Sequence, residues 1–266
     1  MIRCSFAVAK ALYSPLVFFT ALFIGVIRTL SSYAFADTGL SLATLVFSLY
    51  GGLNWDFILT LNEIAAWILL MIPVLLGLNA YFSLAFGSHL LLCFHRYKSP
   101  YRWWAVQTLG MVFFVLAVVI TYFLITLVLG LCSGMRSLTA FLPDKEGFLQ
   151  PSQLLWLLPL AGTALQILLC SFFYSLSFLL FRREKLSIFL YLFPMILGLM
   201  AYSNDEIPAS LHGFVNWGMA KRYTLFSSFG IPFQEGLSKL LLSIFLLALL
   251  GIFAAKAAKP TARKSF

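Results

Sequence analysis

Six apolar runs, each about long enough to cross a bilayer, constrain this chain more than any other feature. A helix rises about 1.5 Å per residue and the hydrocarbon core is about 30 Å thick, so a crossing takes about 20 apolar residues. The runs lie near Ala11 to Leu30, Ile64 to Phe94, Trp103 to Leu131, Leu154 to Phe181, Leu186 to Tyr202 and Leu237 to Ala255. Composition agrees: with 62% hydrophobic and 10% charged residues, a soluble domain of 266 residues could not cover its surface with polar groups. The polar connections are too short for an extramembrane catalytic domain. The expectation is an all-α integral membrane protein: one transmembrane domain over residues 1–266, six transmembrane helices, and short amphipathic or re-entrant helices on the outer side.

The net charge of +9 raises the question of nucleic-acid binding, but the basic residues sit at the ends of apolar runs. The tails and the second and fourth connections hold 12 of the 18 Lys and Arg residues and one acid, Glu184. The opposite connections hold the other six basic residues and eight acids. By the positive-inside rule both termini are cytoplasmic, and the basic residues are read as topology signals and lipid contacts rather than a nucleic-acid surface. Ala34-Phe35-Ala36 after the first run resembles a signal-peptide cleavage site; the run's length and Arg28 favour an uncleaved span. The four cysteines, Cys4, Cys93, Cys132 and Cys170, fall on different sides and depths and form no disulfide framework.

The connections carry the local signals. Ser99-Pro100 is a strong helix start, with Ser99 expected to accept a backbone N–H and Pro100 at the first helical position. The basic, aromatic stretch from His95 to Trp104 is either an interfacial belt or a docking knob for a cytoplasmic partner. Outside, Leu40 to Tyr50 is too short to span and ends at Gly51-Gly52. The region around Ile207, Leu211, Phe214 and Val215 has the spacing of an amphipathic helix, and the two elements together would shape an outer vestibule.

The chemistry is largely one of exclusions. No G-x-x-x-x-G-K-[ST] loop is present, so ATP is not hydrolysed by this chain. His89, His95 and His212 are scattered without metal-ligand spacing. Ser88-His89 pairs a nucleophile type with a base type, but adjacent helical residues diverge by about 100° and no carboxylate orients the imidazole, so intramembrane hydrolysis is a distant alternative. Acids are nearly absent from the spans, which argues against an ion-coupled secondary transporter. Arg28 is read as snorkelling to the outer interface, and Asn79 and Gln166 as interhelical fasteners or substrate-path groups. Pro15, Pro73, Pro159 and Pro194 provide bends within spans.

Taken together, the short basic N-terminus, the six spans, the R-x-K-S-P-x-R-W-W corner at Arg96 to Trp104 and the long connection before the last span resemble the membrane subunits of ABC transporters of the ABC-2 type. The resemblance is one of layout over nearly the whole chain. It implies a permease of the bacterial cytoplasmic membrane that is not itself an enzyme and carries no cofactor, with ATP and Mg bound by a partner ABC subunit. It further implies a second permease chain and membrane lipids as partners. The coupling corner would comprise His95, Arg96, Tyr97, Lys98, Tyr101, Arg102 and Trp103, with Arg182, Arg183 and Lys185 as a second contact. A re-entrant outer element would correspond to Ile207 to Ile231. Spans 2 and 5 would line the route, with Asn79, Pro73 and Gly77 as substrate-path residues. The cargo class it suggests is an amphipathic molecule exported from the cell: an antimicrobial peptide, a lipid or a drug.

Overall fold

The computed structural model describes residues 1–34, 41–51, 61–87, 97, 99–135, 140–143, 149–152, 157–200 and 232–263. These residues are helical apart from one short ribbon: α1 (Ile2–Leu12), α2 (Pro15–Ala34), α3 (Leu42–Tyr50), α4 (Leu61–Gly87), α5 (Pro100–Cys132), β1 (Ala140–Pro143), β2 (Leu149–Ser152), α6 (Leu157–Phe181), α7 (Glu184–Met200) and α8 (Phe233–Arg263). Helices α4, α5, α6 and α8 are long and apolar enough to cross a membrane, and α1 with α2 makes a fifth crossing if this pair, bent by 65°, counts as one. Among the described residues α7 covers 17 positions, roughly 25 Å. The molecule is a multi-pass, membrane-embedded helical protein.

The first apolar run is not a single straight span beginning at Ala11. Its helix breaks at Tyr13-Ser14, and Pro15 opens α2 rather than kinking a continuous span. Ser14-Pro15 repeats the Ser-Pro sequence of Ser99-Pro100 at a helix start, and here the Ser14 hydroxyl accepts from the Val17 N–H at 3.4 Å. Before the break, α1 lies along α5. Phe6 stacks on Phe113 with centroids 4.5 Å apart, and the Tyr13 and Thr121 hydroxyls bond. A Cβ at Gly110 would lie 2.6 Å from Val8, so this crossing requires the missing side chain.

Helix α5 is central, touching α1, α2, α3, α6 and α8. Its 33 residues reach roughly 50 Å, well beyond a 30 Å core. It runs antiparallel to α6: Met111 meets Ser175, while Thr126 and Thr163, farther along α5 and earlier in α6, both bond Tyr50. The Trp104 ring lies on Gly251 of α8 and its indole N–H donates to the Ala248 carbonyl at 2.8 Å. Leu116, Ile120 and Leu124 of α5 and Leu242, Phe245 and Phe253 of α8 face outward, as they would toward lipid.

Two elements depart from the sequence reading. The short helix expected over Leu40 to Tyr50 forms as α3, stops at Gly51 and packs within the bundle. Leu42, Ala43, Leu45, Val46, Leu49 and Tyr50 are all buried, and α3 is inserted against α2, α5 and α6. The ribbon is an addition to the expected all-α fold, with Ala140 opposite Ser152 and Pro143 opposite Leu149. The outer region from Ile207 to Ile231, like Ser88 and His89, lies outside the described residues.

Candidate functional site

Antiparallel packing brings the start of α5 and the α6–α7 turn to one end of the bundle. Tyr101 and Arg102 are exposed in the first turn of α5, and Arg182, Arg183 and Lys185 are exposed around the turn. That turn is short because Arg182 takes a left-handed backbone, φ 52°, directly after α6, and the Arg183 carbonyl accepts the Ser187 N–H to start α7. Ser99 occupies the cap position of α5 with an extended backbone, and its carbonyl accepts the Trp103 N–H, but its side chain makes no cap bond. Tyr97 is half-buried against the core, and His95, Arg96 and Lys98 lie outside the described residues. Trp103 is the correction here: it is buried at 2% exposure beside Trp104, and offering it to a partner would require unpacking the bundle.

The same end holds Asn79. Its amide nitrogen donates to Glu184 Oε1 at 2.7 Å and its oxygen accepts the Tyr174 hydroxyl at 2.8 Å, so one side chain ties α4 to α6 and α7. This is the bonding of a fastener. Gly77 serves a different contact: a Cβ there would lie 2.7 Å from both the Leu12 carbonyl oxygen and Phe114 Cζ. Pro73 is buried and cannot donate to the carbonyl four residues earlier. In the turn preceding it, the Leu70 carbonyl accepts the Tyr122 hydroxyl at 3.1 Å and the Met71 carbonyl accepts the Tyr191 hydroxyl at 2.9 Å. Of the three residues named for the substrate path, Asn79 and Gly77 make separate structural contacts and Pro73 interrupts the helical bonding of α4.

The other polar concentration surrounds the C-terminal end of α3. A helix end inside a membrane bundle leaves carbonyls that must be satisfied by protein. Arg28 of α2 donates from Nη2 to the Leu49 carbonyl at 2.7 Å, and Thr163 of α6 donates to the Tyr50 carbonyl at 2.9 Å. The Gly51 N–H turns back to the Phe47 carbonyl. Tyr50 stacks on Tyr122, its hydroxyl bonds the Thr126 hydroxyl at 2.8 Å, and Thr126 meets Thr29 at 3.2 Å. Arg28 therefore reaches inward to cap α3 instead of snorkelling outward. A helix C-terminus carries partial negative charge, and here a tethered guanidinium meets it.

Among the described residues several buried polar atoms have no partner, Gln107 Oε1 and Thr108 Oγ1 of α5 included. Gln166 is fully buried with both amide atoms unpaired, and Trp67 Nε1 and Arg28 Nη1 are unpaired donors. The sequence marked Gln166 and Arg28 as exceptions within spans but gave no sign of the Tyr50–Tyr122–Thr126 cluster, since tyrosine and threonine are ordinary in apolar helices. Among the described residues no group of three or more His, Cys, Asp or Glu could hold a metal ion. No family model, no curated protein and no solved structure matches this chain.

Proposed function

We propose that the chain is the membrane-spanning half of an ATP-driven ABC transporter of the ABC-2 type, in the cytoplasmic membrane of a bacterium. Two such chains pair with two ATPase subunits, and closure of the cytoplasmic sides on ATP binding drives an amphipathic cargo outward, with peptides the favoured class. In this reading α1 with α2 is one bent span and α7 the sixth, with both termini cytoplasmic.

The observation that carries the reading is an apolar bundle without a nucleotide-binding loop in its sequence and with Tyr101, Arg102, Arg182, Arg183 and Lys185 exposed at one end. That end is basic, rigidly mounted on α5 and α6, and accessible without unfolding. Those five residues are the docking surface in this proposal, with His95, Arg96, Tyr97 and Lys98 as its neighbours in sequence. Asn79, Pro73 and Gly77 retain a route role only if the bundle rearranges around them.

The rival class, an ion-coupled carrier, is less well supported. Such carriers bind cations at the carbonyl ends of broken helices, and the α3 end is already occupied by Arg28 and Thr163. Copurification tests the proposal: the chain expressed with its native gene neighbours should bring down a nucleotide-binding protein in mild detergent. Recovery of the chain without one, together with ion-gradient-driven transport by the chain alone, would replace the proposal with the rival.

A further inference from the structure

Helix α1 buries Ser5, Val8, Ala9 and Leu12 and turns its other side outward. Val8 and the Ser5 carbonyl meet Gly110 of α5, and the Leu12 carbonyl meets Gly77 of α4, two residues before the Asn79 that bonds Glu184. These contacts hold α1 toward the end of the bundle that carries Arg102, Arg182, Arg183 and Lys185. Beyond the 65° bend, α2 follows the far half of α5, where Thr29 meets Thr126.

Opposite the buried face of α1 stand Arg3 and Lys10, both exposed. Seven residues apart, they lie two turns along one stripe, about 10 Å from each other at helical rise. Neither makes an ion pair among the described residues, and the sequence holds no acid before Asp37. Ile2 and Phe6 flank the stripe at 62% and 56% exposure, and Phe6 rests against Phe113. Exposed apolar groups favour hydrocarbon and exposed cations reject it, so the headgroup boundary is the environment that suits both.

We propose that Arg3 and Lys10 of α1 form a binding site for the phosphate of an anionic phospholipid, with Ile2 and Phe6 against its acyl chains. The forked N–H groups of Arg3 and the Lys10 ammonium are donors for phosphate oxygens. A lipid rather than a free anion is the occupant because apolar side chains border the cations. An anionic lipid is favoured over a zwitterionic one because two positive charges stand without a counter-charge, each worth about fivefold in affinity for an anionic surface. The inner face of α1 is docked through Gly110 and the Tyr13–Thr121 bond, so a lipid held on the outer face braces α1 against α5. The site needs only a membrane-embedded bundle and stands apart from the permease reading.

The test uses the full chain purified in mild detergent with phosphatidylcholine, part of which is replaced by phosphatidylglycerol. The quantity read is the fraction of phosphatidylglycerol that raises the melting temperature by a set increment, since a ligand of the native state stabilises it by mass action. Arg3→Gln and Lys10→Gln should each need about fivefold more phosphatidylglycerol than wild type, and the double variant more than either. Arg3→Lys should keep most of the response. Lys256→Gln, which removes an exposed cation of α8, should respond as wild type does. In phosphatidylcholine alone all variants should melt with wild type, because the altered side chains are exposed.

Equal stabilisation of wild type by the two lipids would overturn the proposal, as would an undiminished response in the double variant. An equal loss in Lys256→Gln would replace the site with diffuse surface charge. A lower melting temperature of the double variant in phosphatidylcholine alone would make the two residues structural. Stabilisation by inorganic phosphate equal to that by phosphatidylglycerol would overturn the lipid assignment.

Discussion

Gly77→Ala adds one methyl group where three helices meet. The new Cβ would stand 2.7 Å from the Leu12 carbonyl oxygen and 2.7 Å from Phe114 Cζ. An ordinary carbon–oxygen contact is about 3.3 Å or more, so α1 or α4 must move by about half an ångström. Phe114 can shift its ring, but it is fully buried and packed edge-on against Tyr13. The Leu12 oxygen is backbone at the last residue of α1, and moving it disturbs the α1–α2 break and the Tyr13–Thr121 hydrogen bond. Overpacking of this kind costs about 1 to 3 kcal/mol. Alanine is also a better helix former than glycine by about 1 kcal/mol, which offsets part of that cost. A net loss of about 1 kcal/mol is expected, read by reversible unfolding of the purified chain in mixed micelles. Leu84→Ala, on an exposed side chain of the same helix, serves as the control and should change stability little. A Gly77→Ala protein more stable than wild type by about 1 kcal/mol would refute the three-helix contact, since then only the propensity gain would remain.

Asn79→Leu should lower stability by about 0.6 to 2 kcal/mol with cargo selectivity unchanged, because it leaves the buried Tyr174 hydroxyl without its acceptor; altered selectivity at full stability would restore the route role. Trp104→Phe removes the N–H that donates to Ala248 and should loosen α8, seen as a loss of about 1 kcal/mol or faster hydrogen exchange near Ala248. Charge reversal by Arg102→Glu with Arg183→Glu should abolish ATPase copurification while membrane insertion and melting temperature hold, since both side chains are exposed. Membrane-impermeant labelling of a cysteine at Lys259 in intact cells should fail and one at Asp144 should succeed; the reverse pattern would invert the proposed topology.

How far the sequence reaches is clearest where local chemistry is decisive. Membrane residence follows from apolar length alone. Pro100 at the first position of α5 follows from a fixed φ and a missing N–H that a first turn does not need. The same Ser-Pro signal at Ser14-Pro15 was legible but was masked by the continuous hydrophobicity around it.

Facing and pairing were decided only by tertiary structure. In a soluble helix the polar stripe shows which side is buried, but a membrane helix is apolar all round because lipid and protein interior are equally oily. Nothing in the aromatic residues of the run from Tyr101 to Trp104 therefore distinguishes the exposed Tyr101 from the buried Trp103 and Trp104; for Trp104 it is Gly251 and Ala248, nearly 150 positions later, that make the distinction. Likewise Asn79 and Gln166 are both amides within apolar runs. One is bonded to Glu184 and Tyr174 and the other is unpaired because of where α6 and α7 happen to pass, and a hydrogen bond between helices about 100 residues apart leaves no trace in either local sequence.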